Sequence, residues 1–414
     1  MPSSPSSSVS TPSLVETEAF PSRTSYISKE KEKDDVTICE KGGSTLNCSK
    51  SDHESATKDL EQVDVPDGGL RAWLVVVGVF GYTNAYGVYN DYYVRTYLVD
   101  KYTSAQISWI GSVQLFLVLS IGLFTGRAFD TGHFYHLMIG GSVLLVFCLF
   151  MISITQPVIW QLFILQGVGI GAAIGMMYIP AVGICSHYFR KRRPLAIGIA
   201  TSGSALGGAL HPIMLNHWFH GPLGFRNGVR LSAGLNGGLL LISLFLMKPR
   251  LAPTKESKIG TIESFKLFLR DVPYVFTIAG TVFTLAGLYY PIFFVQLNSI
   301  KNGINPTLAF YTIAILNGAS SIGRIIPNLF VYRYGVFNVL VPCVATASVL
   351  VFCTLAVKDA AGTLIFAILY GFFSGAYIGL IAPVINSLST HDYEIGARLG
   401  VCFVFTGLGG LLGM

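Results

Sequence analysis

The sequence predicts an all-α polytopic membrane protein, with two pseudo-repeated six-helix halves of which the last helix is missing, leaving eleven spans. Three observations predict it. Of 414 residues, 52% are hydrophobic and only 12% charged, where a soluble domain is about a quarter charged. Past residue 67 the apolar residues gather into runs of about 20, the length that crosses a hydrocarbon core as a helix. The basic residues sit in the short gaps between those runs.

The first 65 residues read differently. Residues 1 to 67 hold 13 of the 22 acidic side chains and seven of the 28 Lys and Arg, so the +6 total divides into −6 here and +12 in the remainder. The stretch is rich in Ser and Thr, carries the mixed run Lys29 to Asp35, and has no apolar segment that could serve as a targeting signal. Such a composition buries too little apolar surface to offset its ordering entropy. The expectation for 1–65 is a disordered cytosolic tail with no cleaved leader.

The spans are expected at 72–93, 107–125, 136–155, 158–184, 194–216, 229–247, 273–297, 308–331, 337–357, 361–388 and 396–413. Cytoplasmic loops retain Lys and Arg. With the N-terminus inside, fifteen basic residues, among them Arg127, the run Arg190 to Arg193, Arg324 and Arg398, fall on the cytoplasmic side, against six outside. The widest gap, 248–272, is polar and basic. It separates an N-terminal six-helix half, 66–247, from a five-helix half, 273–414. The halves echo one another. Gly167, Gly169, Gly171 and Gly175 lead to Pro180-Ala181-Val182 in span four, and Gly371, Gly375 and Gly379 lead to Ala382-Pro383-Val384 in span ten. Gly126-Arg127 with a later Gly132 is matched by Gly323-Arg324 with a later Gly335. Transporters that alternate access across the membrane are commonly built from such repeats.

Several motifs resemble the monocarboxylate transporter branch of the major facilitator superfamily in its fungal form. Pro66-Asp67-Gly68-Gly69 precedes Ala72-Trp73 at the start of span one. Gly126-Arg127-Ala128-Phe129-Asp130-Thr131-Gly132 is similar to the superfamily's loop between spans two and three. Tyr188 to Arg193 with Ala196, Gly198 and Ser202-Gly203 resembles the branch's entry to span five, Asn317 to Arg324 its span eight, and Glu394 to Gly400 its span eleven. The resemblance implies the major facilitator fold, normally of twelve spans, whereas this chain ends at Met414 after span eleven. Thr131 stands where many members have a basic residue, and Tyr332 where relatives often have an acid. Asn90, Asp91 and Ser320 stand near the positions where the proton-coupled animal members carry a Lys and an Asp, so lactate–proton symport is not implied.

Ionisable groups at membrane depth are functional candidates by default. Arg324 has no acid nearby in sequence, and a guanidinium can hold a substrate carboxylate in a bidentate pair; the bland alternative is a cytoplasmic-end Arg that snorkels. Asp91, in Tyr86 to Tyr93, could carry a proton, or could pair with Arg95 four residues on. His211 could titrate near physiological pH, or could join two helices by a hydrogen bond. These two are the candidate coupling residues. The resemblance places spans one, seven, eight and ten around the central path, which makes Tyr86, Asn90, Tyr290, Asn317, Arg324 and Tyr377 the candidate substrate contacts. Tyr289, Gln296 and Tyr370 are of the same type. Arg127 and Asp130 are the candidate gate, since this loop in the superfamily binds the halves together on the inner side. Small residues at four-residue spacing, such as Gly203 with Gly207 and Gly171 with Gly175, permit close helix approach.

No catalytic set is apparent. The chain has no phosphate-cradling Gly-rich loop ending in Gly-Lys-Ser/Thr, and no Ser-His-Asp or metal-ligand spacing. The seven cysteines are scattered without a Cys-x-x-Cys pair. No enzyme activity, cofactor, metal or nucleic-acid partner is expected. The expected function is secondary active transport of a small organic solute, a monocarboxylate or related acid, by alternating access. The expected partners are that solute and the bilayer, with a proton as candidate coupling ion. The alternative is a carrier for a fungal secondary metabolite or a riboflavin-like vitamin; from another class, a non-transporting sensor or inactive fragment. The expected location is the plasma membrane, with the vacuolar membrane as alternative.

Overall fold

Backbone N–H and C=O groups inside a bilayer have no water to bond, so an apolar run satisfies them within itself by forming a helix. A computed structural model of the chain describes residues 86–98, 101–189, 192–250, 266–389 and 394–413, and among these all regular structure is helical. The expected tail and most of span one lie outside the described residues. The described residues all belong to one compact unit.

Helix α1 (Tyr86–Tyr92) runs into a π-helical turn, Tyr93–Tyr97. Helices α2 (Ser104–Ser120) and α3 (Gly122–Asp130) make one crossing, followed by α4 (Phe134–Ile152). The next crossing is α5 (Ile159–Leu162), a π-helical stretch Phe163–Ile170, and α6 (Gly171–Gly183). Then come α7 (Arg193–His220), α8 (Gly224–Leu246), α9 (Val272–Lys301) and α10 (Pro306–Tyr334). The series ends with α11 (Val336–Cys353), α12 (Ala360–Leu388) and α13 (Ile395–Leu412).

Local chemistry sets several boundaries. Thr103 and Gln106 form a reciprocal capping box at the start of α2, which satisfies two of the donors a helix start leaves open. Asn305 and Asp359 accept from Thr307 N and Gly362 N at the starts of α10 and α12. Gly132 and Gly335, which echo each other in sequence, have φ of 89° and 82° just past α3 and α10. A side chain would be strained there, so both helices stop at glycine.

Nine helices among the described residues are long and apolar enough to cross a membrane. The expected eleven are therefore not all recovered. Only residues 86–93 of expected span one are described, and they are helical. Expected span five lies in α7, 28 residues long, whose Thr201, Ser202, Ser204, His211, Asn216 and His217 keep it out of the apolar set. The segment between α8 and α9, 247–271, has the length of the gap expected at 248–272, and its described part includes a short helical stretch at 266–268.

Glycine decides which helices press together. A Cβ on Gly171 or Gly175 would meet backbone of α2, at 3.0 Å from Gln114 O and 2.8 Å from Leu117 O respectively. One on Gly379 would stand 2.9 Å from Arg324 O, and Gly371 and Gly375 likewise press on α10. The two echoing glycine series thus seat α6 on α2 and α12 on α10. A third contact joins α3 to α13, where Gly126 meets Gly396 and a Cβ on Gly400 would lie 2.7 Å from Gly122 O and Leu123 Cα.

Gly400→Ala is expected to lower thermal stability by about 1–3 kcal/mol, as overpacking does, because the atoms it meets are backbone. Gly318→Ala, where nothing stands within 4 Å, is expected to be neutral or to stabilise by about 1 kcal/mol through helix propensity. Thermal unfolding of the purified protein in detergent checks both; equal effects would refute the packing argument.

Candidate functional site

Arg324 lies ten residues before the end of α10, about 15 Å along the axis at 1.5 Å per residue. It is 3% exposed. A guanidinium at that depth needs acceptors, and the described residues bring it no carboxylate. Instead Nη1 donates to the backbone carbonyl of Thr201 at 2.5 Å and to Ser204 Oγ, both on α7. Ser321 Oγ, one turn earlier, donates to Ser202 O at 3.3 Å. Asn328, one turn later, donates to Arg324 O at 2.7 Å and stands against Gly198. Part of the polarity that keeps α7 from looking like an ordinary span, at Thr201, Ser202 and Ser204, therefore lies where α7 receives α10. Nε of Arg324 has no hydrogen-bond partner among the described residues.

Two tyrosines from neighbouring helices stand beside this cation, and a third stands beside them. The phenols of Tyr178 on α6 and Tyr289 on α9 interact electrostatically with Arg324, and both also with Tyr377 on α12. The Tyr178 ring lies 5.7 Å from Phe403 of α13, tilted by 52°. Tyr377, 2% exposed, donates to Thr281 O at 3.3 Å, and Tyr370 to Leu288 O at 2.6 Å. Both phenols thus tie α12 to α9. Tyr178 and Tyr289 are only partly buried and keep accessible surface deep among the helices.

The other expected site residues are placed as follows. Tyr86 is 8% exposed, and its hydroxyl is directed at Ile107 O at 3.0 Å and Asn90 Oδ1 at 3.3 Å, which joins α1 to α2. Tyr290 is 46% exposed with its ring 5.0 Å from Phe294, on a different face of α9 from Tyr289. Asn317 is 5% exposed and donates to Ile313 O at 3.1 Å. The Asp91 side chain lies outside the described residues. His211 has Nδ1 3.1 Å from Gly207 O and Nε2 3.3 Å from Asn236 Nδ2. Assigning the tautomer from that network makes Nδ1 the donor and Nε2 the acceptor, so the ring is neutral and bridges α7 to α8. Arg127 and Asp130 end α3, partly buried; the Asp130 carboxylate reaches the first turn of α13, where a Cβ on Gly396 would meet Oδ2 at 2.7 Å. A carboxylate at a helix N-terminus is favoured by the exposed N–H groups and the dipole.

Sequence reasoning missed Tyr178, His187 and an ion cluster at Arg398. Arg398, 6% exposed, donates to Asp271 Oδ2 at 2.7 Å and to Glu394 Oε2 at 3.3 Å, with its Cζ 4.8 Å from the Phe268 ring centroid and 5.2 Å from that of Tyr274. Tyr274 Oη donates back to Arg398 O at 2.6 Å. The (i, i+4) spacing of Glu394 and Arg398 was a readable signal; Asp271 was not, being 127 residues away. His187, in the turn Ile184–His187 between α6 and α7, stacks on Phe129 at 5.4 Å. Burial, and then the neighbouring Arg193 cation, depress its pKa to about 4.

Two outcomes follow for this end of the molecule. Between pH ~6.5, where an unfolded His titrates, and about 4, the unfolded chain holds a proton on His187 that the folded chain rejects. Stability is then expected to fall as pH falls through that window, and His187→Gln to flatten the fall; an unchanged slope in pH-dependent thermal unfolding would contradict this. Arg398→Ala strands the half-screened Asp271 and Glu394 carboxylates, and a loss of about 1–3 kcal/mol is expected, with Arg398→Lys recovering part of it.

The geometry matches known proteins in sequence and in fold. Residues 72–414 match the family model of the Major Facilitator Superfamily. The chain is 37% identical over 355 residues to the MFS-type transporter dbaD of Emericella nidulans, covering 84% of this chain and 78% of that one. It is 34% identical to the aspyridones efflux protein apdF of the same organism, with 86% and 73% covered. It is also 34% identical to the MFS transporter asaE of Aspergillus flavus, with 87% and 82% covered. Among solved structures it resembles the E. coli fucose:proton symporter FucP, at TM-score 0.63 and 14% identity over 83% of this chain and 90% of that one. The nucleoside transporter NupG follows at TM-score 0.60 and 15% identity, with 83% and 89% covered. The chain is therefore a multi-pass membrane protein that belongs to the major facilitator superfamily, a family of small-molecule transporters and not of enzymes.

Proposed function

We propose that this protein is a secondary carrier that exports a small organic metabolite by alternating access, with Arg324 in the ligand path. The observation that carries the reading is the way the molecule is closed at one end. There α3 meets α13 at Gly126 with Gly396 and Gly122 with Gly400, and α7 meets α10 at Gly198 with Asn328 and Thr201 with Arg324. That end carries Arg127, Arg192, Arg193, Arg333 and Arg398, which the distribution of basic residues assigns to the cytoplasm. Above the seal the partly buried tyrosines stand beside the cation. A cytoplasmic seal beneath the site suits an outward-facing state, in which a carrier built of residues 66–247 and 273–414 would release cargo outward. Arg127 and Asp130 then act as gate residues, with Asp130 holding the start of α13.

The efflux direction is supported by relatives named as efflux proteins for aspyridones and agnestins. The monocarboxylate expected from the motifs finds no support among those names. Proton coupling rests on Asp91; His211, which is engaged at both ring nitrogens, is better suited to holding α7 against α8. The plasma membrane with a cytoplasmic N-terminus is the location that suits an exporter.

The test is flux in proteoliposomes loaded with a panel of aromatic metabolites and short carboxylates, with and without a pH gradient. Gradient-dependent efflux of at least one aromatic compound is expected, with Arg324→Ala slowing it about tenfold or more, as loss of a charge-assisted hydrogen bond implies. Arg324→Lys should restore charge without the planar fork and recover only part. No flux of any compound from folded protein would sink the reading; flux of short carboxylates alone would return it to a monocarboxylate carrier.

A further inference from the structure

The geometry points to Tyr178 as the residue that selects the cargo, and to a flat conjugated organic acid as the cargo class, its anionic group on Arg324 and its ring on Tyr178. This rests on the carrier reading above and deepens it.

Four observations support it. First, the Tyr178 hydroxyl makes no hydrogen bond to any described residue, although it lies deep among the helices. Phenols so placed normally find a partner, and Tyr86, Tyr93, Tyr274, Tyr370 and Tyr377 all do. Secondly, Tyr178 keeps accessible surface, whereas Phe403, 5.7 Å away, is 3% exposed. Phe403 therefore packs at an angle against the tyrosine and limits its movement, while Tyr178 keeps the surface that a flat ring could meet. Thirdly, the adjacent Arg324 holds one unsatisfied donor at Nε while Nη1 is engaged by α7. That donor is itself buried, so an anion that reaches it once neighbouring side chains shift would satisfy it without first breaking the α7 contact. Fourthly, Tyr289 adds a second partly buried phenol beside the same cation.

Together these form a cation with one buried, unsatisfied donor, a tyrosine ring with accessible surface and, on Tyr178, a hydroxyl that no described residue engages. A saturated acid would use only the first. A conjugated acid with a carboxylate, enolate or phenolate oxygen would use all three, because ring stacking adds to the charge pair and Tyr178 can donate to a ring oxygen.

The discriminating pair of probes is 2-naphthoate and its decahydro analogue, equal in charge and nearly so in shape. Binding to the purified full chain in detergent is read by titration calorimetry at pH 8, and flux in proteoliposomes is read separately. The wild type is expected to bind naphthoate about tenfold more tightly than the saturated acid. Tyr178→Leu should remove that preference by weakening naphthoate alone, while Tyr178→Phe should keep it. Arg324→Gln should weaken both acids by a similar factor. Each variant is first checked by thermal unfolding, and if Tyr178→Leu does not fold, Phe403→Leu, which frees the tyrosine ring, should reduce the preference in its place. Equal binding of the two acids by the wild type, or equal weakening of both by Tyr178→Leu, would overturn the selection role. Preferential binding without flux would remove the carrier reading and leave the cargo class standing, whereas flux of a neutral metabolite without binding of either acid would do the reverse.

Discussion

The structure depends on one constraint: a permanently charged guanidinium sits inside a protein whose surroundings are hydrocarbon. Arg324 cannot shed its proton, and removing a charge from water is costly unless acceptors replace the water. The acceptors come from α7, whose Thr201 carbonyl and Ser204 hydroxyl both receive the guanidinium. For α10 to reach that carbonyl the helices must touch, and the small residues Gly198 and Gly379 on either side of Arg324 leave that room. The polarity of α7, the glycines of α12 and the burial of the cation are one arrangement seen from three helices.

The same logic sorts the tyrosines. A phenol in a low-dielectric interior has a wide apolar ring and one polar tip, and the tip decides its role. Where the tip finds a backbone carbonyl, as in Tyr370 and Tyr377, the residue fastens α12 to α9. Where no described group receives it, as in Tyr178, the hydroxyl fastens no helix to another among the described residues. The closed end works by a related contrast. Glycine contact between α3 and α13 gives close approach, with the Asp130 carboxylate against the first turn of α13, whereas Arg398 with Asp271 and Glu394 binds the start of α9 to α13 through charge.

Much of this was legible in the sequence. Composition, run length and the gaps between runs determined an all-helical membrane protein, because hydropathy over ~20 residues is a local property of the chain. Helix ends at Thr103, Asn305, Asp359, Gly132 and Gly335 were equally local, since a cap or a left-handed glycine acts within four residues. Arg324 stood out because a charge in an apolar run is conspicuous wherever it is pointed. The paired glycine series also foretold close helix contacts, though not their partners. The count of eleven spans was not legible in the same way, because α7 trades apolar residues for polar ones such as Ser204 and His211, which bond to α10 and α8.

What only the tertiary structure decided is which neighbours meet. Arg324 and Thr201 are 123 residues apart and Arg398 and Asp271 127 apart, and nothing in either segment names the other. Tyr289 and Tyr290 are adjacent and alike in sequence, yet one faces Arg324 and the other is exposed beside Phe294. The 100° turn between successive residues of a helix makes that difference, and the rotation of each helix about its axis is set by packing against all its neighbours at once. Membrane helices are apolar on nearly every side, so their sequences carry little of that rotation. The chain by itself determined what each helix is, and the packing decided which of its side chains became the site.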